Sequence, residues 1–198
     1  MEYAVQKVEN IDITRVDDVW NGIEAGVLVD NADGSEAELR TEFKLAYNGN
    51  GDLYFLYDVE DPHPNVTMTE YNSDIFDEET VEFFFATEKK LTSYLELEVN
   101  YLNTDWAGHI DNDLKGHTKI HYIDENPLET RVIPREGGFY VVGKVDRSAF
   151  IGEMDEWLFN ACRIKRREDN SMILSSFSPT YEEAFHRPQH FVKMTFLR

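Results

Sequence analysis

Hydrophobic and polar residues alternate with a period of two along most of this chain, in short runs separated by turn residues. The clearest case is the stretch from Ser73 to Asn100, SDIFDEETVEFFFATEKKLTSYLELEVN. Side chains alternate between the two faces of a strand. Val81, Phe83 and Phe85 therefore share one face, with Glu82 and Phe84 on the other. In the second run Leu95, Leu97 and Val99 oppose Tyr94, Glu96, Glu98 and Asn100. Paired as a hairpin, the two runs place carboxylates, an amide and aromatic rings on one non-core surface. Such a surface is either solvated or a binding site.

The rest of the chain repeats the theme. EYAVQKVENID reads as an opening strand, and DDVWNG as a short turn capped by Asp17 or Asp18, with Trp20 in the core. TEFKLAYNGNGDLYFLYDVEDP is a hairpin around NGNGD, ended by Pro62 and Pro64 because proline has no N–H for a sheet ladder. YLNTDWAGHIDNDLKGH is polar and glycine-containing and reads as a long loop. KIHYIDENP, then RVIPR and FYVVGKV about an EGG turn, WLFNACRIKRRE, SMILSSFSPT and the run from Phe191 to Leu197 supply further strands. Many short strands and no long amphipathic helix predict an all-β fold. The expected architecture is an antiparallel, jelly-roll-like β-sandwich with only short helical turns, residues 1–198 forming one domain.

Composition sharpens this. In 198 residues, 13% aromatic content argues for a packed core despite the high charge. Lys+Arg 19 against Asp+Glu 39 gives a formal net charge of −20, which repels nucleic acid and anionic membranes alike. Neither is an expected partner; a neutral polyol or a cation suits the surface better. The single cysteine, Cys162, excludes an internal disulfide and reads as a small buried hydrophobe. No apolar run approaches the roughly 20 residues of a membrane span, and Met1–Asn10 lacks the apolar core of a signal peptide. A soluble chain is expected, cytoplasmic as it stands, or secreted or in the cell envelope if a leader was removed.

Candidate chemistry is sparse. The acids of DNADGSEAE, DIFDEE and DNDLKGH offer oxygen ligands, yet a helix–loop–helix calcium site needs a glutamate at the twelfth position and flanking helices, and neither is present. His109, His117 and His121 lack a zinc spacing and read as surface residues. Glu82 and Glu98 could be a glycosidase pair, whose carboxyls stand about 5 to 9.5 Å apart across a sugar. The aromatics say more. Phe76 and Phe185 lie in loops among charged residues, Asp74 and Asp77 in one case and Arg187 in the other. Rings displayed from loops grip the apolar faces of sugars, while carboxylates and amides bond the hydroxyls.

These pieces, in order, carry a likeness: Trp20, Leu53–Tyr54, Val59, Asp61–Pro62, the run from Asp74 to Phe84, Val99–Asn100, Ser176 to Thr180 and Phe185 to Phe191. The pattern resembles carbohydrate-binding module family nine and its single-domain relatives. The resemblance implies a β-sandwich that binds sugars without catalysis, often at polysaccharide chain ends, and in which calcium ions can be structural. It implies a ligand held between two aromatic rings, here Phe76 and Phe185, with Glu82 and Asn100 as hydrogen-bonding groups. Two departures stand out. The family's sandwiching rings are tryptophans, and its binding members carry an arginine where this chain has Glu98, an acceptor in place of a donor fork.

The expected function is therefore non-catalytic carbohydrate binding through Phe76, Glu82, Glu98, Asn100, Phe185 and Arg187. The alternatives are a glycoside-active enzyme using Glu82 and Glu98, a haem-binding relative using methionine and histidine, and a scaffold that has lost sugar binding.

Overall fold

The computed structural model describes residues 1–167 and 169–198. Fourteen strands run in the order β1 Glu2–Lys7, β2 Gly26–Val27, β3 Val29–Asp30, β4 Thr41–Tyr47, β5 Leu53–Glu60, β6 Thr80–Ala86, β7 Ser93–Val99, β8 Asp105–Asn112, β9 Thr118–Tyr122, β10 Leu128–Arg135, β11 Gly138–Val145, β12 Glu156–Arg166, β13 Met172–Ser176 and β14 Val192–Phe196. The helical elements among the described residues are short 3-10 turns, as the sequence predicts.

The strands form two layers. One is built on β10-β11-β5-β4, the other on β14-β12-β6-β7-β8-β9. Strand β1 joins them, because Glu2–Val5 pair with β14 and Gln6–Lys7 with β4. Both of these pairings are parallel, within a sandwich that is otherwise antiparallel as expected. A strand shared between layers reaches two neighbours whose directions are already fixed, so β1 takes the direction they leave. All other pairings are antiparallel.

Between the layers lies the main core, built from the apolar faces that alternation assigns. Phe83 of β6 meets Phe43, Phe55 and Tyr57 of the opposing layer, with ring centroids 5.8, 5.5 and 4.7 Å away. Burying one such ring stabilises by about 1.5–3 kcal/mol. The outer face of each layer is also covered. On the first, Asp17 caps the 3-10 turn Asp18–Gly22 through its bond to the Val19 amide, which lays Trp20 over Tyr54, Leu56 and Val142. On the second, Ile75, Phe84, Trp106, Phe185 and Phe191 form a separate apolar cluster.

One expectation fails outright. The stretch from Tyr101 to His117 is not one long loop, because Asp105–Asn112 form β8 between β7 and β9. Its only large apolar residues, Trp106 and Ile110, lie in the outer cluster with Gly108 between them, and the small Ala107 alone reaches the inter-layer core, so its apolar pattern is too sparse to mark a strand.

Candidate functional site

The hairpin β6–β7 has the register that alternation predicts: Glu82 lies opposite Glu98, and Phe84 opposite Glu96. On either side the row continues, with Cys162 of β12 beside Glu82 and Trp106 of β8 beside Glu98. Cys162, Glu82, Glu98 and Trp106 thus lie in a line across four strands, on the face turned away from the main core. Glu96 stands one step along, opposite Gly108. The missing side chain matters there, since a Cβ on Gly108 would lie 2.7 Å from Cη2 of Trp106, whose indole occupies that space.

This face is not solvated. Glu82, Glu96 and Glu98 are only 2%, 4% and 1% exposed. Glu82 accepts one bond at 2.6 Å from the Thr80 hydroxyl, whereas neither carboxyl oxygen of Glu98 has a partner. The indole N–H of Trp106 is likewise buried without one. Burial pushes the Glu82 carboxyl up to about 7, with the Thr80 bond opposing. Glu96 and Glu98 are driven well above the usual carboxylate range, first by burial and then by neighbouring acids. For Glu98 those neighbours are Glu82, Glu96, Asp74 and Asp77.

Two segments cover the row. The 3-10 turn Ile75–Asp77 brings Phe76, half-buried, edge-on against Trp106 with centroids 6.1 Å apart. The loop between β13 and β14 brings Phe185, which packs on Phe84 at 6.4 Å. The rings do not stand free as displayed platforms, and Phe185 is 5% exposed, because the outer face of the second sheet is itself apolar and draws the loops down. The same loop seats His186, whose Nδ1 is 2.8 Å from the Tyr94 hydroxyl and whose Nε2 is 3.9 Å from Glu96. Burial, with Arg187 nearby, depresses this imidazole to about 4. At neutral pH the histidine is uncharged, so the contact with Glu96 is not an ion pair. Arg187 donates to Glu182 at 2.6 Å and to the His186 carbonyl.

Asn100 is buried at the end of β7, where it holds a turn. Its Nδ2 donates to the Met68 carbonyl at 2.9 Å, and its Oδ1 accepts the Thr104 amide at 3.0 Å. The structure therefore gathers Phe76, Glu82, Glu98, Phe185 and Arg187 around one outer face and places Asn100 at its edge. Glu96, Trp106 and His186 are additional members. Alternation puts Glu96 on the face from the outset, but Trp106 and His186 become visible only once β8 and the covering loop are in place.

The loop acids serve their own turns. Asp30 accepts the Ala32 amide, Asp33 the Ser35 amide, and Asp113 the amides of Lys115 and His117. Among the described residues no three His, Cys, Asp or Glu side chains converge to hold a metal ion. His117 and His121 pair with Asp113 and Asp111 at 2.8 and 2.9 Å. Among the described residues no helix is long and apolar enough to cross a membrane. A cleft of about 820 Å³ lined by Leu39, Pro62, His63, Lys165 and Arg167 contains none of the predicted site residues. Of its cations, Lys165 pairs with Asp61 and Glu79 and Arg167 with Glu38, whereas the Nε of Arg166 is buried without a hydrogen-bond partner.

Residues 11–156 match the sequence pattern of the family described as carbohydrate family 9 binding domain-like. The chain belongs to that family. Solved family 9 folds agree with the architecture. A carbohydrate-binding module of family 9 from Caldicellulosiruptor kristjanssonii in complex with glucose superposes with a TM-score of 0.74 at 18% identity, covering 100% of this chain and 96% of that one. A second structure of a family 9 module from the same organism, in complex with cellotriose, gives 0.72 at 18% identity over 99% and 93%. A protein of Bacteroides uniformis ATCC 8492 presumed to bind carbohydrate gives 0.79 at 18% identity over 99% of both chains. No curated protein matches the sequence. For this family 9 chain the β-sandwich and its element order are thus shared with solved relatives.

Proposed function

We propose that this protein is a non-catalytic carbohydrate-binding module whose ligand docks on the outer face of β6, β7 and β8. The observation that carries the reading is the Glu82–Glu98–Trp106 row, in which both Glu98 oxygens and the Trp106 N–H lack partners beneath two aromatic segments, in a chain of the carbohydrate family 9 type. The solved relatives in complex with glucose and cellotriose support a hexose or glucan end as ligand class. Phe76 and Phe185 supply ring faces, Glu82 and Glu98 accept from hydroxyls, and Arg187 offers donors at the rim. Entry requires the Phe76 turn or the Phe185 loop to lift. Against catalysis, Glu82 and Glu98 are deeply buried, so neither a glycoside nor a water reaches them unless the covering segments lift.

Calorimetry with glucose, cellobiose, cellotriose and a broader sugar panel tests the proposal. Phe76→Ala should weaken binding by about tenfold, since stacking on a ring contributes roughly 1–2 kcal/mol. A second reading, an interaction domain without a sugar ligand, is favoured by the closure of the face, and silence across the whole panel would select it.

A further inference from the structure

The acidic row has no counter-charge. Glu98 faces Glu82 from β6, Glu96 from its own strand, and Asp74 and Asp77 from the covering turn; Cys162 of β12 and Tyr122 of β9 complete the titratable surroundings. The nearest basic ring, His186, is neutral, and Arg187 is bound to Glu182. Elsewhere the buried acids are satisfied: Asp61 and Glu79 are matched by Arg163 and Lys165, and Asp105 accepts from Asn126 and Thr130. Buried carboxylates are kept where they are paired or functional, and here the pair is missing from the chain itself.

We infer that the site selects a sugar bearing a protonated amine, a 2-amino-2-deoxyhexose or an oligomer of it, with the ammonium against Glu98 and a sugar oxygen accepting from the Trp106 indole. The inference rests on the carbohydrate-binding reading and narrows it. An ammonium carries donors and no acceptor, the complement of a carboxylate once it has given up its proton. Hydrogen bonds between two charged groups are roughly twice as strong as neutral ones. A divalent metal fits less well, because no three ligating groups converge. The Trp106 N–H is a second, independent vacancy, a donor inside a fully buried side chain that belongs to no acidic cluster.

A proton balance follows. Burial and the neighbouring acids favour the protonated forms of Glu96 and Glu98. When the ammonium docks, one carboxyl O–H bond breaks, the carboxylate pairs with the cation, and the proton passes to the buffer. Affinity should therefore rise with pH, by up to about tenfold per unit, until the amine itself deprotonates.

Calorimetry at physiological salt with the β-1,4-linked oligomers of glucosamine, N-acetylglucosamine and glucose provides the test. The glucosamine series should bind at least tenfold more tightly than the other two. Repeating the titration in buffers of different ionisation heat should show about one proton released per amine bound and none for glucose. Glu98→Gln should collapse the preference towards one; Glu96→Gln and the proton count stand in if that variant does not fold. Equal affinities for the three series would overturn the inference and leave the carbohydrate reading intact. A preference that survives Glu98→Gln without proton release would also overturn it, by assigning the effect to the net charge of −20. No binding by any series would reject both.

Discussion

Arg163 shows what a buried charge requires in this protein. Its guanidinium donates to Thr41 Oγ1 at 2.8 Å, to the Glu60 carbonyl at 3.0 Å and to Asp61 at 2.9 Å, with 4% of its side chain exposed. Lys165 bridges the same Asp61 to Glu79 at 3.1 and 2.9 Å, so two cations and two anions close a neutral set. Burial lowers the Arg163 pKa and raises that of Glu79, and pairing opposes both. Removing one member of such a set strands its partner, a loss of about 3–5 kcal/mol. Arg163→Met should destabilise by that amount in urea denaturation; a loss under about 1 kcal/mol would mean that Asp61 finds water or another partner. Glu98, equally buried, has no such partner.

At the scale of elements, the β5–β11 pairing depends on a close approach. Gly138 is aligned with Glu60, and a Cβ there would fall 1.9 Å from the Val59 carbonyl oxygen. Backbone cannot give way as a flexible side chain does, so Gly138→Ala should cost about 1–3 kcal/mol, the usual range for overpacking, and lower the thermal midpoint. An unchanged midpoint would show that the hairpin slides without penalty. Elements with a strict two-residue period were legible from sequence: both faces of β6 and β7, the NGNGD hairpin and the turn at Gly137 all follow from it. Strand β8 was not, because its partners on both faces come from other strands and, apart from Trp106 and Ile110, its own residues are small or polar. The burial of Phe185 and of the glutamates was equally hidden. Their cover arrives from Ile75–Asp77 and from a loop about a hundred residues later in the chain, and no local periodicity records that meeting.

For the molecule as a whole, the acidic row should set how stability varies with pH. Glu82, Glu96 and Glu98 have folded-state pKa values raised above their ordinary range, Glu82 to about 7. The folded state therefore binds more protons than the unfolded chain, and stability falls as pH rises. The stabilising contribution of these groups is complete below the ordinary glutamate range and is lost as pH climbs through their folded values. His186 acts in the opposite sense: depressed to about 4, it costs stability as pH falls below its ordinary value near 6.5. Its effect is already saturated above that point. Asp113, held near 2 by His117, matters only in acid. Between pH 6.5 and 8.5 the glutamates are left to dominate. Each unit of displacement corresponds to about 1.4 kcal/mol, and for a chain of this size 1 kcal/mol shifts the midpoint by about 2–4 °C. Scanning calorimetry should show the midpoint falling by several degrees from pH 6.5 to 8.5, and Glu98→Gln should flatten the slope. A midpoint that held steady or rose over that interval would mean that the row is ionised and compensated in the folded protein. That result would remove the physical ground for a cation-seeking site.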